Sequence, residues 1–200
     1  MDTDLMFSSK DNEHYTPHDF LYRVLRFYDD LIDLDPCSNS KENPHTPSRQ
    51  QFTIEDDGLS LPWHGKVFVN PPYGRALGDW AEKVTSEYEA GNAQQILFLV
   101  PSRTDTQWYK KVNDYPRCNI EGRLTFFNPQ NNGNAAPFPS VLFYLGKRKS
   151  RFKEYFKPIG EVLIPGDDRS DYKREYMKAY MKKKRAEKVS KQAPDASRQT

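Results

Sequence analysis

The chain is short of cysteine, of glycine and of long apolar runs, and each shortage excludes something. Its two cysteines, Cys37 and Cys118, stand far apart with no Cys-x-x-Cys spacing. That argues against a disulfide framework and against a zinc site, and sets a reducing cytoplasm as the expected compartment. Ten glycines occur in 200 residues, and none of them builds a glycine-rich phosphate or dinucleotide loop. No apolar stretch approaches the roughly 18 residues that a membrane span needs. Met1 to Asn12 is polar and acidic, without the basic start and apolar run of a secretory leader. No internal repeat is visible.

What is present is aromatic and polar. Phe, Trp and Tyr make up 14% of the chain, and the mean hydropathy is −0.91. A soluble protein is expected, with many rings free for a core or for stacking on bases. The length suits one domain with appendages. Net charge is only +2, but lysine and arginine crowd toward the C-terminus.

The most informative stretch is Lys66-Val67-Phe68-Val69-Asn70-Pro71-Pro72-Tyr73-Gly74. Three apolar β-formers predict a buried strand of a parallel sheet. It has to stop at Pro71, which cannot donate to a ladder and restricts the residue before it. Two prolines then hold a stiff turn that has carbonyls but no N–H groups. The Asn70 side-chain oxygen and the Pro71 carbonyl are two acceptors for an exocyclic amine, and Tyr73 offers a flat face. A flipped adenine has both an amine and a π-face. The plainer alternative is a proline turn after an ordinary strand. The strand-Asn-Pro-Pro-aromatic order resembles the catalytic motif of amino-group methyltransferases, which use S-adenosylmethionine on adenine N6, cytosine N4 or glutamine N5.

The flanking sequence supplies the rest of an α/β domain. Met1 to Glu13 reads as a flexible arm. Thr16 predicts an N-cap and Pro17 a first helical residue, opening an amphipathic helix to Tyr28. Leu31 to Leu34 predicts a first strand, which delivers Asp35 to the edge where open α/β sheets bind ligands. There a carboxylate can accept from a cofactor amine or hydroxyl; an ordinary Asp-Pro turn is the alternative. Pro36-Cys37 is reminiscent of a cytosine-C5 nucleophile, but it precedes Asn-Pro-Pro-Tyr and reads better as a small buried residue. Phe52 to Ile54 predicts a short strand ending in the acidic turn Glu55 to Leu59. If this strand neighbours the one before Asn70, Asp56 or Asp57 points at the same edge.

Leu77 to Ala90 predicts a helix and Gln95 to Val100 a buried strand, together a βαβ unit. Thr104 or Asp105 is the expected cap of a helix through Trp108, Tyr109 and Val112. Arg103, at the ligand edge, is a candidate for phosphate or substrate, with a surface ion pair as the alternative. Asn119 to Phe127 predicts a strand pair or bend, Asn128 to Pro139 a long loop of the kind that is often functional, and Ser140 to Gly146 a last strand.

The ordered set of short motifs resembles the phage-type DNA N6-adenine methyltransferase (phage Dam) family over about residues 14 to 146. The matching pieces include Tyr15-Thr16-Pro17, Asp33-Leu34-Asp35-Pro36-Cys37-Ser38, Asn43, Asp57-Gly58-Leu59 with Trp63, and Val69 to Tyr73. They continue with Leu99 to Thr106, Gly122-Arg123-Leu124 with Phe126, and Ala136 to Ser140. Ser38 stands where alanine is expected.

The resemblance implies a compact Rossmann-like S-adenosylmethionine-dependent methyltransferase fold. It implies a mostly parallel sheet with a terminal antiparallel hairpin, and double-stranded DNA as partner, in a bacterial or phage-infected host cytoplasm. It implies catalysis by Asn70, Pro71, Pro72 and Tyr73, and a cofactor site drawn from Tyr15, Thr16, Pro17, Asp35, Cys37, Asn43 and Asp57. Arg103 and Arg123 are expected on DNA. No metal is required. Glutamine-N5 protein methylation and an inactive DNA-binding protein are the alternative readings.

The catalytic domain is expected over residues 14–165. Residues 166–200 read as a linker, a basic helix and a disordered tail. Lys182, Lys183, Lys184 and Arg185 lead a lysine-rich run between Tyr172 and Lys191 that either docks by its apolar stripe or contacts DNA phosphates.

Overall fold

The computed structural model describes residues 15–126, 136–166 and 180–181. The chain divides into a unit of residues 1–164 and one of residues 165–200. The expected arm, most of the expected loop and the basic run with Lys182, Lys183, Lys184 and Arg185 lie outside the described residues.

The first unit is a mixed α/β structure. In chain order it contains α1 (His18–Phe27), β1 (Leu34–Asp35), β2 (Gln50–Gln51), β3 (Gly65–Val69), α2 (Leu77–Glu89) and β4 (Ala93–Pro101). Then come α3 (Gln107–Val112), β5 (Arg117–Ile120), β6 (Ser140–Leu145), α4 (Lys149–Phe156) and β7 (Gly160–Leu163). The strands form one sheet in the order β2-β1-β3-β4-β6-β5-β7. The first four are parallel, β6 runs antiparallel to both β4 and β5, and β7 runs antiparallel to β5.

Strand alternation splits the core in two. Val67, Val69, Phe98 and Val100 face Trp80, Val84, Tyr109 and Val112 of α2 and α3. Phe68, Leu97, Leu99, Leu142 and Tyr144 face Phe20, Val24 and Phe27 of α1 and Phe152 and Phe156 of α4. All six side chains of β6 are buried, as expected of a strand covered on both faces.

Several expectations are corrected. The second strand is Gln50–Gln51 rather than Phe52 to Ile54. The Asp56 carboxylate accepts from the Thr53 N–H (2.8 Å) and hydroxyl (2.9 Å), folding that stretch into a turn. β1 lies between β2 and β3, so the condition that the strand before the acidic turn neighbours the one before Asn70 is not met. Thr106, not Thr104 or Asp105, caps α3 by accepting from the Tyr109 N–H. α4 and β7 add a helix and an edge strand after the last strand expected from sequence.

Candidate active site

The chain leaves β1 outward to β2 and then returns past β1 to β3 and β4. The crevice between β1 and β3 is therefore a topological switch point, the place where open α/β sheets bind ligands. Asp35 ends β1 and Asn70 follows the last residue of β3, so both turns singled out in the sequence open into it. A cavity of about 330 Å³ sits there, at the small end of the usual range for ligand sites. Tyr15, Thr16, Asp35, Cys37, Asp57, Asn70, Pro71 and Pro72 all line it. Pro17 and Tyr73 do not line it, and Asn43 is exposed outside it.

One wall is the Asp35-Pro36-Cys37-Ser38 turn. Asp35 is 5% exposed and accepts from the Cys37 N–H at 3.1 Å and the Cys37 thiol at 3.6 Å. Burial raises its carboxyl to about 6, against the smaller opposing pull of these donors and of Thr46 and Ser38. Burial also pushes the Cys37 thiol well up, with the Asp35 charge adding to it. A thiol so far from ionising is a poor nucleophile.

The acidic turn docks on this wall. A Cβ at Gly58 would overlap the Pro36 carbonyl, so only glycine permits the approach. The Gly58 carbonyl accepts from the Trp63 indole at 2.8 Å, anchoring the turn in the core. Asp57, at φ 55°, is held in the left-handed region and lies at the cavity. Asp56 is occupied elsewhere: Lys41, at 2.6 Å, and the Thr53 donors hold its carboxyl down to about 2. Ile54 is 97% exposed at the cavity rim.

The other wall is built on Asn70. Thr16, 1% exposed, does not cap α1; Pro17 takes that position without a side-chain bond. The Thr16 hydroxyl instead accepts from Asn70 Nδ2 at 3.0 Å. Its carbonyl accepts from His45 Nε2 at 2.6 Å. The Asn70 Oδ1 accepts from the Tyr73 hydroxyl at 2.7 Å. The carboxamide is thus held at both ends. Tyr73 packs edge-on against Phe138 (5.4 Å) and Phe126 (5.9 Å) behind it. Burial keeps its hydroxyl protonated, well above the ordinary tyrosine value.

Arg103 and Arg123 are exposed and follow the carboxyl ends of β4 and β5. These strands run in the same direction, so both arginines leave the sheet at the edge that carries Asp35 and Asn70.

Sequence reasoning missed His45, Thr46, Ile54 and Trp80 as cavity residues. His45 and Thr46 lie in a polar, proline-interrupted segment with no periodic signal. Trp80 was legible as one residue of the helix predicted over Leu77 to Ala90 and as a piece of the motif set, but not as a cavity residue. Ile54 was assigned to a short strand, whereas it is exposed at the cavity rim.

The family model described as DNA N-6-adenine-methyltransferase (Dam) matches residues 4–160. The match extends beyond the stretch that carried the resemblance in sequence, through α4 to the first residue of β7. No curated protein matches the chain.

Proposed function

The chain belongs to the DNA N-6-adenine-methyltransferase (Dam) family, and we propose that it transfers a methyl group from S-adenosylmethionine to N6 of an adenine flipped out of duplex DNA. The observation that carries this reading is the shared crevice. A buried carboxylate at the end of β1 and a carboxamide at the end of β3 face one cavity at the switch point. The donor set fits the cofactor. Asp35 and Asp57 would accept from its amine and hydroxyls, and Ile54, Leu59 and Trp80 would cover its apolar parts.

When bound, S-adenosylmethionine would supply an electrophilic methyl carbon, whose bond to sulfur breaks with the pair leaving on sulfur as the bond to N6 forms. Asn70 Oδ1 has two lone pairs, so it accepts an N6 hydrogen while keeping its bond from Tyr73. The Pro71 carbonyl accepts the second hydrogen. Held by both, the N6 lone pair turns out of ring conjugation toward the methyl carbon, and its surplus proton passes to water. Positioning of this kind supplies up to roughly 7–11 kcal/mol. The Tyr73-Phe126-Phe138 cluster gives the base an aromatic surface next to Asn70, worth roughly 1–3 kcal/mol per stacked base. That offsets much of the cost of flipping, a few kcal/mol.

Arg103, Arg123 and the lysine-rich run would neutralise phosphates, so affinity should fall steeply with salt. Changing Lys182, Lys183, Lys184 and Arg185 together to Gln should flatten the salt dependence of duplex binding and leave the methylated site unchanged. An unaltered slope removes the run from the interface.

The deciding test of the whole reading is methyl transfer from labelled S-adenosylmethionine to unmethylated duplex DNA, with the product nucleosides separated. N6-methyladenine is expected. N4-methylcytosine would overturn the base, and transfer to protein alone would overturn the substrate.

A further inference from the structure

We infer that the Ser140 hydroxyl is a base-reading group, donating to the ring nitrogen beside N6 of the flipped adenine. Ser140 is 2% exposed, and its hydroxyl has no hydrogen-bond partner among the described residues. Buried polar groups are nearly always paired, so an orphan of this kind calls for a partner that arrives later.

The register shows where that partner would be. Ser140 opens β6 opposite Pro101, the last residue of β4. Because β6 is antiparallel, its first residue lies at the carboxyl edge of the parallel strands, the edge that carries Asn70. Two strand spacings, roughly 10 Å, separate β6 from β3. Side chains two apart share a face of the sheet. Ser140 therefore shares the face of Leu142 and Tyr144, and Asn70 shares that of Phe68, which is the same α1-covered face.

The space between is aromatic. Phe138, two residues before Ser140, packs on Tyr73 at 5.4 Å, and Tyr73 holds Asn70. A purine ring seated by its amine on Asn70 and Pro71 and against these rings presents N1 or N7 toward β6. A hydroxyl there pairs with either nitrogen and ends its own isolation.

This inference rests on the adenine-methylation reading, and the experiment separates the two. A duplex carrying the methylated site is prepared with the target base as adenine, 1-deazaadenine or 7-deazaadenine. The kcat/KM of wild-type and Ser140→Ala protein is measured on each. Ser140→Ala should lose roughly tenfold on adenine and less than twofold on the one analogue that lacks the paired nitrogen. The 1-deaza arm identifies the Watson–Crick edge and the 7-deaza arm the opposite one. Equal losses on all three substrates overturn the inference and leave Ser140 a packing residue. Absence of adenine methylation by the wild-type chain would instead overturn the parent reading. If Ser140→Ala fails to fold, Ser140→Cys keeps the shape with a weak donor and is read the same way.

Discussion

Asp35-Pro36-Cys37-Ser38 and Asn70-Pro71-Pro72-Tyr73 leave adjacent parallel strands at the same edge of the sheet. Each puts a short polar side chain at the strand end and a proline after it, and each faces the same cavity. Their surroundings separate them. Asp35 is buried among small polar residues, and burial raises its carboxyl to about 6. Asn70 cannot ionise; it is held by Thr16 and Tyr73 and backed by aromatic rings. The lesson is that a charge suits a site for a cationic, hydroxylated cofactor. A neutral amide oxygen accepts an amine hydrogen without bringing a net charge to that end of the cavity.

The largest effect should come from the Asn70 side. Asn70→Ala should reduce kcat by roughly 100- to 1000-fold, on the scale of losing one preorganised group at a reacting centre. Cofactor affinity, measured by calorimetry, should change little. A parallel loss of cofactor binding would erase the division of labour between the two turns.

The Asp35 side should respond to pH in two opposite ways. Its folded value, about 6, lies above the unfolded value of 3.8. The folded protein therefore holds the proton more tightly than the unfolded chain. Asp35 should destabilise the cofactor-free protein by roughly 3 kcal/mol above pH 6, and that penalty should fade as pH falls from 6 toward 4. Cofactor affinity should move the other way, weakening below pH 6 as the accepting carboxylate is protonated. Thermal melts and cofactor titrations of wild type and Asp35→Asn across that window test both. If the variant keeps either slope, the slope belongs to another group.

The smallest effect joins the two sides. Thr16 reaches His45 by its carbonyl and Asn70 by its hydroxyl. Thr16→Val keeps the shape and removes the acceptor, a hydrogen bond of about 1 kcal/mol. It should lower kcat roughly fivefold with little change in KM, and Thr16→Ser should restore it. A loss in Thr16→Ser as large as in Thr16→Val would mean that the methyl group, not the hydrogen bond, matters.

Much of this was legible along the chain. The run Val67-Phe68-Val69 before two prolines could only be a strand that stops, and the buried run Ile96 to Val100 could only be its partner. The strand predicted over Leu31 to Leu34 placed Asp35, and that over Val67 to Val69 placed Asn70, at strand ends where open α/β sheets bind ligands. The failures share a cause. Thr16 was read as a helix cap because its neighbours made a good cap site; the helix began a residue later, and the hydroxyl went to a residue 54 positions away. The bond from the Tyr73 hydroxyl to Asn70 and the packing of Phe126 and Phe138 on its ring were not legible either. Strand position alone left Asp56 and Asp57 open; the motif resemblance chose Asp57, and Lys41 and Thr53 hold Asp56 elsewhere.

The sequence by itself determined the central strands β3 and β4, the proline turn that ends β3 and the chemistry of the groups left at the strand ends. These follow from local sterics and periodicity, which act over a few residues. Only the tertiary structure decided which ends met, which acid was spent on a lysine and which buried hydroxyl has no partner among the described residues. Those outcomes depend on strand order and on contacts between distant segments, and no local propensity encodes them.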